Sequence, residues 1–231
     1  MEIPNDPKLL KHYIDKYHIA EVFQKDMTEH MRLYSFNKGE FIFRANEKID
    51  QLYFMVEGKA KVYTAMQNGK SLLLRFYNPF VVIGDVEFIE KTPITCNVEV
   101  ISTAVCIGIP LTSLERHAIS DPAFLTFICR SLGEKLAKNS VSSAINLLYP
   151  LENRLASYLL AIASLDENSP SFNGIFTDKL TEMADLLGTS YRHLLRTLNK
   201  LASEGIIEKQ NNKIMLLDRY SLEKLAGDLY N

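Results

Sequence analysis

The segment TEMADLLGTSYRHLLRTLNKLASEGII, residues 181–207, limits the possible folds of this chain more than any other segment. Its first part contains Met183, Ala184 and Leu187, which together with Leu180 just before the segment are apolar residues at helical spacing. Gly188 then allows a left-handed backbone, so the first helix can end abruptly there. Ser190 follows as a residue that can cap a second helix. The segment therefore predicts two helices joined by a glycine turn.

The second helix has an apolar face and a basic face. Leu194, Leu198 and Leu201 are predicted to point inward. Positions i, i+1, i+4, i+5 and i+8 share the opposite side of a helical wheel, which gathers Tyr191, Arg192, Leu195, Arg196 and Asn199. This is the pattern of a helix-turn-helix, whose second helix reads DNA. The alternative is an ordinary amphipathic helix whose polar face is only solvated.

A short β-hairpin is predicted directly after the second helix. The sequence LNKLASEGIIEKQNNKIMLLD continues through Gly205 into one strand, an asparagine-rich turn at 210–212 and another strand. Two helices, a glycine exit and a β-wing form a winged helix-turn-helix. Between Gly188 and Lys213 there are five basic residues and two acidic ones, although the whole chain has a net charge of −2. A basic face that is local rather than general is what a groove-docking element needs.

Many short strands are predicted between Leu33 and Pro110. Segments such as FIFRA, QLYFMV, KAKVYTAM, KSLLLRFY and TCNVEVISTAVCIGI are rich in β-branched and aromatic residues, and turn signals separate them. Asn68-Gly69 between two apolar runs is the strongest hairpin signal in the chain. Strands at this spacing favour a β-sandwich or jelly roll over alternating strands and helices. Helical structure over residues 7–31 is predicted before them.

A single long helix is predicted from Asp121 to about Tyr149, where Pro150 stops or kinks it. At the helical rise per residue it would be roughly 40 Å long. Its first half is apolar and its second half is rich in Asn and Ser. An apolar stripe sustained for about two heptads favours pairing with a second copy of the helix, and packing along its own domain is the alternative. Residues 151–163 and the tail RYSLEKLAGDLY predict further helices, with a polar loop at 166–170.

These elements in this order resemble the cyclic-AMP receptor protein / fumarate–nitrate regulator (CRP/FNR) superfamily of bacterial regulators. The resemblance lies in KGEFIFRANEKIDQLYFMVEGKAKVY, NGKSLLLRFY and VIGDVEFIE, and later in LENRLASYLL and MADLLGTSYRHLLRTLNKL. Within the superfamily, IGDVEFIE and GTSYRHLL look most like the YeiL-type regulators. The resemblance implies an α+β fold. Residues 1–120 would form N-terminal helices and an antiparallel β-roll with the sensor role, 121–149 a dimerisation helix, and 150–231 a winged helix-turn-helix DNA-binding domain.

The recognition helix of the family commonly begins Ser-Arg-Glu, with a second Arg four residues after the Glu. Ser190 and Arg196 match the first and last of these positions, while Tyr191 and Arg192 replace the Arg-Glu pair. Arg196 keeps the fork that grips O6 and N7 of guanine, whereas Arg192 cannot accept a hydrogen bond from cytosine N4. The usual half-site is therefore not expected. The predicted DNA contacts are Ser190, Tyr191, Arg192, His193, Arg196, Asn199, Lys200, Lys209 and Lys213.

The sensor pocket departs from the family pattern. In the cyclic-nucleotide binders a Gly-Glu pair holds the ribose and an Arg-Ser/Thr-Ala segment grips the phosphate. Here Gly84-Asp85 and Ile94-Thr95-Cys96 stand at those positions, and Ile94 cannot compensate a phosphate charge. We therefore expect no cyclic-nucleotide binding. The predicted effector pocket consists of Gly84, Asp85, Thr95, Asn139 and Ser140. The alternative for Gly84 and Asp85 is a structural corner of the roll.

The sequence lacks the residues that several other classes of function require. None of the five histidines lies between Lys38 and Pro110, which excludes a histidine metal site in the roll, and no nucleophile elbow, P-loop or HExxH motif is present. No cysteine precedes Cys96, which argues against an iron–sulfur sensor. Cys96 and Cys129 are expected to be buried and inert, and the acids Asp85 and Glu87 to face solvent. Neither an enzyme nor a cofactor is predicted.

The sequence thus predicts a transcription regulator that binds DNA as a homodimer. Two recognition helices related by a two-fold axis would read a roughly palindromic duplex, and the resemblance implies RNA polymerase as a partner. No run of about 18 apolar residues and no signal-peptide h-region appears, which favours a cytoplasmic protein and no membrane span. The alternative is a sensor or interaction protein that keeps this fold, binds another small ligand or a protein, and binds DNA weakly or not at all.

Overall fold

The computed structural model describes residues 6–66, 69–163, 174–176, 180–210 and 213–227, and it describes 174–176 through the backbone. The chain forms two compact units. Residues 1–62 and 77–138 make up the first unit, and residues 63–76 and 139–231 the second. In the described residues, no helix is both long and apolar enough to cross a membrane.

The first unit begins with helix α1, Pro7–Lys16. The Asp6 carboxylate accepts hydrogen bonds from the backbone N–H groups of Lys8 and Leu9 and so caps the helix. Sequence periodicity predicted helical structure as far as residue 31, and this is wrong beyond α1. His18 has a left-handed backbone with φ +53° and breaks the helix, so only two short 3₁₀ turns follow, Ile19–Val22 and Thr28–His30.

Six strands form the sheet of the roll. They are β1 Arg32–Phe36, β2 Phe41–Phe43, β3 Gln51–Ala65, β4 Ser71–Tyr77, β5 Val81–Ile83 and β6 Asn97–Pro110. The strand order is β1-β6-β3-β4, with β2 paired to β6 and β5 to β3. The predicted antiparallel β-roll is confirmed. Met66 N–H donates to Lys70 O at the predicted hairpin, while Asn68 lies outside the described residues.

Three helices are interspersed with the strands of the roll or follow them. They are α2 Asp85–Glu90, α3 Leu111–His117 and α4 Pro122–Leu148. The buried Asp121 carboxylate caps α4 by accepting from Ala123 N–H at 2.9 Å, and it also accepts from Gln24 N–H at 2.7 Å. The predicted long helix is confirmed. Because Asp121 bonds to both, it joins the N-terminus of α4 to the segment that follows the first 3₁₀ turn.

The core of the first unit lies between the sheet and the helices on it. Its fully buried side chains include Phe54, Phe124, Leu52, Ile107 and Met31. The rings of Phe23 and Phe124 stack at 5.1 Å between centroids, which packs α4 against the N-terminal segment. Gly58 lets β3 approach β6 closely, because a Cβ there would lie 2.3 Å from Thr103 O.

Besides residues 63–76 and the end of α4, the second unit holds the C-terminal elements. These are α5 Leu151–Ala163, β7 Gly174–Phe176, α6 Leu180–Leu186, α7 Tyr191–Ser203, β8 Ile207–Gln210, β9 Lys213–Leu216 and α8 Arg219–Ala226. The strands pair in the order β7-β9-β8, all antiparallel. The predicted helices and the two-stranded wing are confirmed. The third strand, β7, was not predicted. The predicted loop at 166–170 and the tip of the wing at 211–212 lie outside the described residues.

Candidate nucleic-acid interface

The turn between α6 and α7 has the predicted geometry. Gly188 has φ +59°, and Thr189 N–H donates to Ala184 O at 2.9 Å to close the end of α6. Ser190 has an extended backbone, and its hydroxyl accepts from His193 N–H at 3.2 Å as the N-cap of α7. The start and direction of α7 are thus determined by local hydrogen bonds.

The two faces of α7 are separated as the periodicity predicted. Leu194, Leu198 and Leu201 are fully buried, whereas Arg192 and Arg196 are exposed. Burial of three leucines fixes the rotation of the helix about its axis, because any other rotation would expose apolar surface to water. The basic face of α7 therefore points away from the core of its own domain.

The N-terminal half of α7 carries the cations that have no role inside the domain. In the part of the chain that the structure describes, the guanidinium groups of Arg192 and Arg196 have no hydrogen-bond or ion-pair partner. Tyr191 precedes them and is 47% exposed. His193 lies beside them with its Nδ1 3.3 Å from Thr189 Oγ1. A helix N-terminus with exposed arginines attracts phosphate and can reach base edges.

The remaining predicted DNA contacts are already engaged. Lys200 Nζ donates to Glu152 Oε2 at 2.6 Å, and this bond raises the pKa of the lysine because it favours the charged form. Lys209 Nζ on β8 donates to Asn199 Oδ1 at 2.8 Å. Lys213 is half-buried on β9, where its backbone pairs with Gln210 in the wing. The side chains of Lys200 and Lys209 thus have partners within the domain, whereas the described residues offer none to Arg192 and Arg196.

In the roll, Asp85 is a buried residue and not the solvent-facing acid that was expected. It is 1% exposed and lies at the first position of α2, after Gly84 with φ +98°. Its carboxylate accepts from Lys135 Nζ at 2.5 Å and from Ser131 Oγ at 2.8 Å. These partners compensate its charge, as a buried carboxylate requires. The geometry favours the alternative in which Gly84 and Asp85 form a structural corner.

Lys135 makes further contacts within the first unit. Besides Asp85, its ammonium donates to Val82 O at 2.8 Å, and it lies 5.6 Å from the centroid of the Tyr77 ring. The lysine side chain is 11% exposed. The corner of the roll is therefore joined to α4 by an internal ion pair.

Glu87 is also buried, again contrary to the expectation of a solvent-facing acid. It is 8% exposed, and its Oε1 accepts from both the N–H and the hydroxyl of Thr95 at 3.3 Å. Ile94 beside it is 4% exposed. The donors of Thr95 thus face a carboxylate, and an anionic group brought there would meet a like charge.

The other two predicted pocket residues do not share this arrangement. Asn139 and Ser140 follow on α4, and both belong to the second compact unit. Ser131 and Lys135, which lie about two turns and one turn before Asn139, bond to Asp85 instead. Sequence reasoning missed them. The only available signal was their i, i+4 spacing, which places them on one face of the helix.

The cysteines differ from one another in exposure. Cys106 on β6 is buried, and burial raises the pKa of its thiol. Cys96 is half-buried. The expectation of a buried thiol is wrong for Cys129, which is exposed on α4. Among the described residues, no group of three or more His, Cys, Asp or Glu side chains is placed to hold a metal ion.

Two family models match the chain. The cyclic nucleotide-binding domain matches residues 33–120, and the Crp-like helix-turn-helix domain matches residues 153–225. The regulatory protein YeiL of Escherichia coli O157:H7 is 29% identical over 209 residues, which cover 90% of this chain and 92% of that protein. A CRP-like cAMP-activated global transcriptional regulator of Mycobacterium tuberculosis is 22% identical over 202 residues, 87% of this chain and 90% of that one.

Solved structures show the same fold. A CRP-family transcriptional regulator from Thermus thermophilus covers 86% of this chain and 98% of its own, with 24% identity and a TM-score of 0.68. A crp/fnr-family protein from Eubacterium rectale covers 87% of this chain and 91% of its own, with 17% identity and a TM-score of 0.75. The similarity thus extends over both halves of the chain.

Proposed function

Because this chain belongs to the CRP/FNR superfamily of transcription regulators, we propose that it binds a specific DNA sequence as a homodimer and that its β-roll takes no cyclic nucleotide. The observation that carries the proposal is the capped helix α7 with Arg192 and Arg196 exposed on its first two turns. Arginine at such a position can contact phosphate and base edges together. The proposal assigns no metal and no cofactor.

Binding-site selection on random duplex DNA, with the purified protein and no added effector, tests this function. Two recognition helices related by a two-fold axis contact successive major grooves about 34 Å apart. The expected result is a roughly palindromic motif whose binding weakens steeply as salt rises. Failure to enrich any motif, together with an absence of retained complexes in gel shifts at low salt, would favour the sensor or interaction protein instead.

The proposed dimer rests on the exposed face of α4. Every residue of one heptad stripe is exposed, and the stripe consists of Cys129, Gly133, Leu136, Ser140, Ser143 and Leu147. The two leucines are 69% and 84% exposed, which is unusual for side chains of this size on a long helix. The small residues between them allow a second helix to approach closely. We infer that a parallel copy of α4 covers this stripe.

Cys129 provides a direct test of this pairing. In a parallel, in-register helix pair, equivalent stripe positions face each other across the axis at a distance that suits a disulfide. Mild oxidation is therefore expected to give a covalent dimer on non-reducing gels. The Cys129→Ser variant should give none, and the matched Cys96→Ser variant should still crosslink. A chain that sediments as a monomer at micromolar concentration and forms no crosslink contradicts the pairing.

Cyclic AMP is expected not to bind the roll. The Glu87 carboxylate bonds both donors of Thr95, and Ile94 offers no compensating cation, so a cyclic phosphate would be desolvated beside a like charge. Calorimetric titration with millimolar cyclic AMP should give no saturable heat and no rise in melting temperature. Adenosine is the matched control without the phosphate. Saturable binding of cyclic AMP in the micromolar range would refute this part of the proposal.

A further inference from the structure

Three consecutive residues near the start of α5 each bond to a different element of the DNA-binding domain. Glu152 accepts from Lys200 on α7 at 2.6 Å, and Asn153 Nδ2 donates to Leu225 O on α8 at 2.8 Å. Arg154 Nη1 donates to Leu187 O, just before the turn, at 2.5 Å. Successive side chains of a helix point in different directions, so one short stretch can hold three neighbours. Helix α5 thus sets the positions of the elements around it.

The bond to α7 is made at the end of that helix opposite the free arginines. Lys200 lies in its last turn, and its ammonium is 2.6 Å from Glu152 Oε2 and 3.8 Å from Glu204 Oε1. Two carboxylates therefore already share this one cation. The side chain of Glu152 is only 22% exposed, which restricts where the lysine can go while the bond lasts.

A second contact holds the same end of α7 from the wing. Asn199, the residue before Lys200, accepts from Lys209 Nζ on β8 at 2.8 Å. The C-terminal part of α7 is therefore bonded on one side to α5 and on the other to the wing. Only the N-terminal part, with Arg192 and Arg196, presents cations that no other described group uses.

We propose that Glu152 is a positioning residue that sets the tilt of α7 through Lys200, and that Lys200 does not contact the DNA phosphates. This inference rests on the proposed function of α7 as a recognition helix. A helix of 13 residues is about 20 Å long, so a tilt of about 5° about its C-terminal end displaces Arg196 and Arg192 by roughly 1 to 1.5 Å. Such a shift exceeds the tolerance of a bidentate hydrogen bond to a base.

Glu152→Gln separates a positioning role from a simple effect of charge, because the two predict opposite changes in the affinity for specific DNA. The variant removes one negative charge from the domain, so charge alone predicts tighter binding to any DNA. A neutral amide oxygen holds the Lys200 ammonium less strongly than a carboxylate does, so the tilt restraint is weakened. This predicts weaker specific binding, by about tenfold, which corresponds to roughly one lost base contact. The matched control is Glu208→Gln on the wing, an exposed acid with the same change of charge and no bond to α7 among the described residues.

The quantity to measure is the ratio of specific to non-specific affinity, at a temperature where circular dichroism shows every variant folded. The ratio should fall about tenfold in Glu152→Gln and stay near the wild-type value in Glu208→Gln. A loss of stability alone would not change this ratio in folded protein. Binding by Glu152→Gln that is as specific as wild type overturns the positioning role while leaving the proposed function intact. A wild-type protein that selects no motif overturns both.

The salt dependence of binding tests the second half of the proposal. Each phosphate contact adds about 0.9 to the slope of log affinity against log salt concentration. Lys200→Gln should lower the specific affinity without changing this slope, whereas Arg192→Gln should reduce the slope by about 0.9 because Arg192 is an exposed cation at the start of α7. A fall of about 0.9 in Lys200→Gln would identify Lys200 as a phosphate contact and overturn the assignment.

Discussion

Replacing Lys135 with methionine is expected to destabilise the first compact unit by about 3–5 kcal/mol, because it leaves a buried carboxylate without its cation. Asp85 is 1% exposed, so water cannot take over the role of the ammonium. Only the Ser131 hydroxyl and the N–H of Val86 would remain as donors among the described residues. Urea unfolding, followed by circular dichroism, measures the loss as a shift of the transition midpoint.

Two further variants make this result specific to the ion pair. Lys138→Met changes an exposed lysine three residues later on α4, and it should alter stability by no more than about 0.5 kcal/mol. Asp85→Asn combined with Lys135→Met removes both charges and should restore much of the loss, because an uncharged buried pair has no unpaired ion. If Lys135→Met unfolds at the wild-type midpoint, the ion pair contributes little to the fold.

The second large effect is expected at Arg196. Its replacement by alanine should weaken binding to the selected site by about 10- to 100-fold, which corresponds to one bidentate base contact of ~1–3 kcal/mol. In repeated selection, the motif should lose a guanine preference at the same position of each half-site. Fluorescence anisotropy with the selected duplex and a scrambled one measures the loss of affinity.

Arg196→Lys separates the shape of this side chain from its charge. A lysine keeps the positive charge but lacks the planar fork that contacts two guanine acceptors at once. We expect near wild-type affinity for scrambled DNA and a lost guanine preference. The matched control for loss of charge is Lys224→Ala, an exposed lysine on α8, which should leave the motif unchanged. A motif that survives Arg196→Ala would mean that other side chains read the sequence.

The helix-turn-helix could be predicted because its determinants are local. Gly188, the Ser190 cap and the leucines of α7 act on residues within one or two helical turns, so their spacing in the sequence already contains the geometry. The same holds for the strand-rich roll and the long helix. Where a local conformation went against periodicity, as at His18, the predicted helix extended too far.

The bonds that position the sites could not be predicted in this way. Asp85 and Lys135 are 50 residues apart in the sequence, and Glu152 and Lys200 are 48 apart. An acid in a sequence is expected in water, and only its distant partner explains why Asp85 is buried. The sequence likewise contains no local signal that residues 63–76 group with the C-terminal elements. Such pairings require the three-dimensional structure.

The buried thiol of Cys106 gives the roll an internal reporter of its own opening. Its side chain is fully buried in β6, and the raised pKa of the thiol keeps it protonated. A thiol reagent can therefore attack it only when the strand separates from its neighbours. With Cys96 and Cys129 replaced by serine, the rate of labelling would follow the population of that open state, as amide exchange does for backbone groups. One side chain would thus report how often the sheet opens in the folded protein.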